Sequence, residues 1–156
     1  MNGLMVSKRI LTFVTGLFLA ATITASSYAT TDPIYKTEDG AALGDYDAVS
    51  YSQAGGPQKG KAELIHEWKG AKWYFANKEN MEAFVKDPEK YAPQYGGYCA
   101  WALSQNAIAP GDPMLWKMVD GKLYLNLNKD VQKKWLADIP GLIEKANANW
   151  PAVLNK

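Results

Sequence analysis

Trp116-Lys117-Met118-Val119-Asp120-Gly121-Lys122-Leu123-Tyr124-Leu125-Asn126-Leu127 holds two alternating runs joined by Asp-Gly. A two-residue Asp-Gly loop between such runs is the type I′ hairpin pattern, because both loop residues must take positive φ and these two tolerate it. The spacing predicts a hairpin with Leu123, Leu125 and Leu127 on one face. Upstream, Met114 falls in step with Trp116 and Met118 and is expected to fill the core beside them. Downstream, Asn128 is placed to cap a helix with Val131, Trp135, Leu136 and Ile139 inward. Pro140-Gly141 is expected to interrupt it, and Leu142, Ile143, Ala146 and Trp150 to carry a last helix.

Working outward, Ala62-Glu63-Leu64-Ile65-His66-Glu67-Trp68 and Lys72-Trp73-Tyr74-Phe75 bracket Lys69-Gly70-Ala71, which reads as another hairpin. Asn77 caps a predicted helix with Met81, Phe84 and Val85 at i, i+3, i+4 spacing, and Pro88 stops it. Residues 44–51 read as a short strand or extended segment closed by Gly55-Gly56-Pro57, and residues 30–44 as an extended lead-in. A further short helix is expected to begin near Tyr98, after Gly96-Gly97. The fold class is α+β: a small single domain with two β-hairpins and four or five short helices.

The 156 residues include one cysteine and one histidine, which excludes a disulfide framework and a structural zinc site of three or four thiolates. Lys8 and Arg9 precede an apolar run from Ile10 to Ala21 that ends on Ser27-Tyr28-Ala29, a small-x-small site. Residues 1–29 therefore read as a signal peptide cleaved after Ala29, leaving residues 30–156 free in the periplasm or secreted. The run is too short and too often broken by Thr and Ser for a stable membrane anchor, and no cysteine stands at the cleavage site to take a lipid. From Thr30 on the net charge is −1, so there is no basic stripe for nucleic acid. Sixteen aromatic residues remain there, enough to fill a core or line a pocket. Glycine-rich phosphate loops, nucleophile elbows and His-Glu-x-x-His are all missing.

Phe75, Phe84, Asp87-Pro88 and Tyr91 follow the register of an aromatic strand, a short helix ending in Phe, and an Asp-Pro-x-x-Tyr close. In this the segment from about 44 to 93 resembles the YHS domain, with a helical extension toward the C-terminus. Tyr95-Gly96-Gly97-Tyr98-Cys99-Ala100, Asp120 to Asn126 and Asn149-Trp150-Pro151 are similar to an exported subgroup in which the Cys99 position carries a lone cysteine or selenocysteine. The resemblance implies a soft metal ion such as copper, held in metal-binding members by a Cys-x3-Cys pair and one earlier cysteine. Here Ala76 and Asn80 occupy the pair's positions and no cysteine lies upstream, so that site does not carry over.

Cys99 is left as the candidate site. At a helix start its thiolate would be favoured by the unpaired N–H groups of the first turn; the alternative is a small buried hydrophobe. His66 alternates with Leu64 and Trp68 on one strand face, and is either a core histidine or a partner of Cys99 in a metal site or thiolate–imidazolium pair. Tyr98, Trp101, Tyr46 and Asp47 are the candidate ligand-lining residues, although Asp45 and Asp47 taken alone read as solvated charges rather than a calcium site. Two functions follow. One is an exported binding module holding a metal ion or small molecule near Cys99. The other is a redox enzyme with Cys99 as its only nucleophile, needing a thiol partner because there is no resolving cysteine.

Overall fold

Both hairpins form. β1 (Lys61–Trp68) pairs antiparallel with β2 (Ala71–Phe75), and β3 (Asp112–Val119) with β4 (Lys122–Asn126). Each turn has two residues with positive φ, 49° and 73° at Lys69-Gly70 and 50° and 74° at Asp120-Gly121, so Ala71 belongs to the strand rather than to the loop. The computed structural model describes residues 31–156; the export segment expected over 1–29 lies outside them. Five helices complete the α+β domain: α1 (Lys78–Lys86), α2 (Pro88–Tyr91), α3 (Ala100–Ser104), α4 (Lys129–Leu136) and α5 (Ile139–Asn149). Among the described residues no helix is long and apolar enough to cross a membrane.

The two hairpins head two copies of one unit. Gly60, the β1 and β2 bounds, Asn77, Phe84 and Asp87 recur 51 residues on as Gly111, the β3 and β4 bounds, Asn128, Trp135 and Asp138. The register shift near the start of each long strand falls at the same place, between Lys61 and Ile65 and between Asp112 and Trp116. Asn77 Oδ1 accepts from Asn80 N at 2.8 Å and Asn128 Oδ1 from Val131 N at 2.9 Å, satisfying one free N–H of α1 and of α4. Ahead of the hairpins, Leu43-Gly44-Asp45 has φ of 54°, 55° and 68°, and Tyr95-Gly96-Gly97 has 56°, 63° and 89°. Each turn leads into Tyr-x-Ala, at Tyr46-Asp47-Ala48 and Tyr98-Cys99-Ala100. Asp47 N donates to Gln58 O at 2.8 Å, and Cys99 N to Ala109 O at 2.9 Å. Asp47 and Cys99 are therefore equivalent positions.

The units share β4, which is buried on both faces. Leu123 and Leu125 join Trp73, Phe75 and Phe84 in one core, while Tyr124 joins Leu103, Trp135 and Ala146 in the other. A strand covered on both sides carries no hydrophobic alternation. Asn126 is consequently fully buried, and Leu127, expected inward, is exposed one residue past the strand end.

Several expectations are corrected. Residues 44–51 are not a strand: 3-10 turns at Leu43–Asp45 and Ser50–Ser52 enclose Asp47, whose Oδ1 accepts from Val49 N at 2.9 Å, an Asx turn that competes with extension. Met114 is 54% exposed because the β3 register shift breaks its step with Trp116 and Met118. Val85 (49%) and Leu136 (46%) lie on the outer faces of α1 and α4, where Phe84 and Trp135 take the inner positions. The expected break after α4 is present but falls at Ala137-Asp138, ahead of Pro140, which stands in the first turn of α5: Asp138 Oδ1 accepts from Gly141 N at 3.1 Å, and a proline in the first turn loses no helical bond.

Candidate functional site

Asp47 is buried, not solvated. Its Oδ2 accepts from Ala76 N at 2.9 Å and Asn80 Nδ2 at 2.6 Å, and Asn80 Oδ1 accepts in turn from Gln53 Nε2 at 2.8 Å. One carboxylate thus ties the first 3-10 region to the end of β2 and the first turn of α1. Asp45 stays at the surface, paired with Lys59, whose ammonium lies 4.5 Å from the Tyr46 ring centroid.

Cys99 is the N-cap residue of α3 and is fully buried. A five-residue helix offers little dipole. Its thiol donates to Asn126 Oδ1 at 3.8 Å, and its backbone bridges Leu125 of β4. His66 sits half-buried on β1, its ring 6.4 Å from that of Phe84 and in no hydrogen bond with Cys99. Among the described residues no three His, Cys, Asp or Glu side chains cluster as metal ligands.

The aromatic candidates are spread between the units. Tyr98 is buried, its hydroxyl donating to Asp32 O at 2.8 Å, and Trp101 is half-buried beneath the Lys134 ammonium at 5.2 Å. A cavity of about 580 Å³, one of whose walls is Trp150 with its ring 6.3 Å from that of Tyr98, was not foreseen in the sequence. Trp68, Tyr95 and Trp150 are among its walls, Pro151 and Leu154 extend its apolar side, and the Lys69–Glu89 ion pair, 2.6 Å, stands at its rim. Gly96 is part of the wall, where a Cβ would collide with Pro33 O. The cavity draws on the Trp68 end of β1, the Tyr95 turn and the tail after α5, segments too far apart in sequence for periodicity to relate.

Burial pushes the hydroxyls of Tyr51 and Tyr95 far above the ordinary tyrosine range, with Tyr46 adding to it at Tyr51 and Tyr124 at Tyr95. A folded-state pKa above the unfolded value gives stability that is full below about pH 10 and lost as pH rises past it. Spectrophotometric titration should therefore show two phenols that ionise only together with unfolding. Reversible ionisation of every tyrosine near pH 10 would contradict that burial.

Residues 57–95, spanning β1 through α2 to Tyr95, match the family model of the YHS domain. That segment is similar to the YHS domain. No curated protein and no solved structure matches the chain. The YHS family is one of metal-binding domains, and the match is consistent with a binding module. The donor set here does not fit the metal. Ala76 has no ligating side chain, and Asn80 donates its amide N–H to Asp47, whose two oxygens already take three N–H groups. In this segment a carboxylate–amide clamp occupies the positions where the resemblance to metal-binding YHS domains implied ligands.

Proposed function

We propose that this chain is an exported binding module whose YHS scaffold holds a small organic molecule rather than a metal ion. The mature protein begins at Thr30 and works in the periplasm or outside the cell. The reading rests on the 580 Å³ cleft between Trp68 and Trp150, floored by the Tyr95-Gly96 turn that leads into Cys99. Aromatic walls with a few polar groups at one edge suit a flat apolar molecule whose polar end reaches Lys69 and Glu89. The clamp at Asp47, Ala76 and Asn80 supports a ligand other than a metal.

The test uses protein isolated from the extracytoplasmic fraction, with anilinonaphthalene sulfonate as the aromatic probe. The probe is expected to bind the wild-type chain in competition with any co-purified molecule, and Trp150→Ala to lose it while keeping the wild-type circular dichroism. Equal binding by the variant would place the ligand elsewhere. One tightly held metal ion per chain, lost in Cys99→Ser, would replace this reading with the metal module. An intact mass that begins at Met1 would remove export.

A further inference from the structure

The repeat allows the two inner faces to be compared position by position. In the first unit Asp47, Phe75 and Phe84 are buried, and the Asp47 carboxylate is fully bonded. The same positions in the second unit hold Cys99, Asn126 and Trp135, all without solvent exposure. Tyr124 lies on Trp135 with ring centroids 5.5 Å apart at 35°, as Trp73 lies on Phe84 at 4.9 Å and 32°. The indole is therefore docked on β4 as Phe84 is on β2, where Phe84 also meets Phe75 at 5.2 Å. The Phe75 position on β4 is held by Asn126.

That exchange of two phenylalanines brings in two N–H groups that core packing does not need. Asn126 Nδ2 and Trp135 Nε1 are both buried with no acceptor, while Asn126 Oδ1 faces the Cys99 thiol. Buried donors are almost always paired. Amide and indole N–H groups do not ligate cations; they bind an oxygen acceptor. The reactive atom beside Asn126 is Cys99 Sγ, 3.8 Å from its Oδ1.

We propose that the acceptor is an oxygen added to Cys99, so that the second unit is a site for oxidation of this thiol to a sulfenic acid by a hydroperoxide. The sulfur, as thiolate, attacks the terminal peroxide oxygen. An S–O bond forms and the O–O bond breaks; the sulfur is oxidised by two electrons, and the departing peroxide oxygen is reduced and takes up the proton the thiol released. Asn126 Nδ2 and Trp135 Nε1 then hold the new oxygen. A cavity of about 140 Å³ lined by Gly97, Gly111 and Leu125 lies against Leu125, the β4 residue that Cys99 bridges. The full burial of Cys99 favours the smallest hydroperoxide, hydrogen peroxide. The sequence has no other cysteine, so no internal disulfide can form, and burial keeps outside thiols from the product.

The full chain is treated with hydrogen peroxide, the peroxide is removed, and the protein is then unfolded in dimedone. Wild type is expected to carry the dimedone adduct at Cys99, and to gain the mass of one oxygen before trapping. Trp135→Phe installs the residue the first unit has at this position and keeps the fold; it is expected to lose the adduct, leaving Cys99 either as free thiol or over-oxidised to sulfinic acid. Asn126→Leu should do the same. Should Asn126→Leu not fold, Trp135→Phe decides alone. A wild-type Cys99 that emerges unmodified, or an adduct of equal yield in the folded variants, overturns the proposal.

Discussion

Phe84→Ala is expected to cost about 3–5 kcal/mol. Phe84 is fully buried at the centre of an aromatic cluster, its ring 4.9 Å from Trp73, 5.2 Å from Phe75 and 5.8 Å from Trp68. These rings come from β1, β2 and α1, so a void at Phe84 cannot close by moving one side chain. Close-packed surroundings relax only in part, and the cavity adds to the lost transfer free energy. Val85→Ala, one residue along the same helix on its outer face, should stay within about 0.5 kcal/mol. In thermal unfolding, the first change lowers Tm by on the order of 10–20 °C and the second barely moves it. Similar midpoints for the two variants would mean that the cluster does not carry the core.

What was legible in the sequence was what local chemistry dictates. The Asp120-Gly121 turn, the Asn77 and Asn128 caps and the inward Phe84 all follow from short-range rules, and each forms as read. Burial on β4 was not legible, since a strand sandwiched between two cores has no polar face to reveal its orientation. Asp47 misled for a related reason: a carboxylate next to Tyr46 and Asp45 looks solvated until Ala76 N and Asn80 Nδ2 arrive from far along the chain.

The repeat itself is written in the residues. Gly44-Asp45-Tyr46-Asp47-Ala48 and Gly96-Gly97-Tyr98-Cys99-Ala100 agree at Gly, Tyr and Ala, and each is followed by Ser-Gln, at Ser52-Gln53 and Ser104-Gln105. An extra residue in the loop after Gln53 shifts the spacing by one before the hairpins begin, which hides the period from a fixed-step reading. Tyr46 and Asp47, and Tyr98 and Cys99, are thus one pair of positions met twice.

Asp47 carries the second large expected effect. Asp47→Ala removes the acceptor for Val49 N, Ala76 N and Asn80 Nδ2, which lie where water does not reach Asp47. Each buried donor left unpaired costs about 1–3 kcal/mol, so a loss of about 3 kcal/mol or more is expected. Asp47→Asn should lose less, about 1–3 kcal/mol, because its one carbonyl oxygen can serve the Ala76 and Asn80 donors while its amide turns an N–H toward Val49 N. Asp47→Cys places in the first unit the thiol that the second unit carries. It should fall near the alanine variant, because a thiol is a weak acceptor and cannot hold three donors. The ordering of the three in urea unfolding is the test: wild type above asparagine, asparagine above cysteine and alanine. Were cysteine to match wild type, the carboxylate would not be what joins the Asp47 turn to β2 and α1, and the clamp would owe its stability to packing alone. The second unit has no such carboxylate at Cys99; there Tyr98 Oη donates to Asp32 O and Asn149 Nδ2 to Leu103 O, both at 2.8 Å, tying the unit to the segment ahead of the first hairpin and to the end of α5.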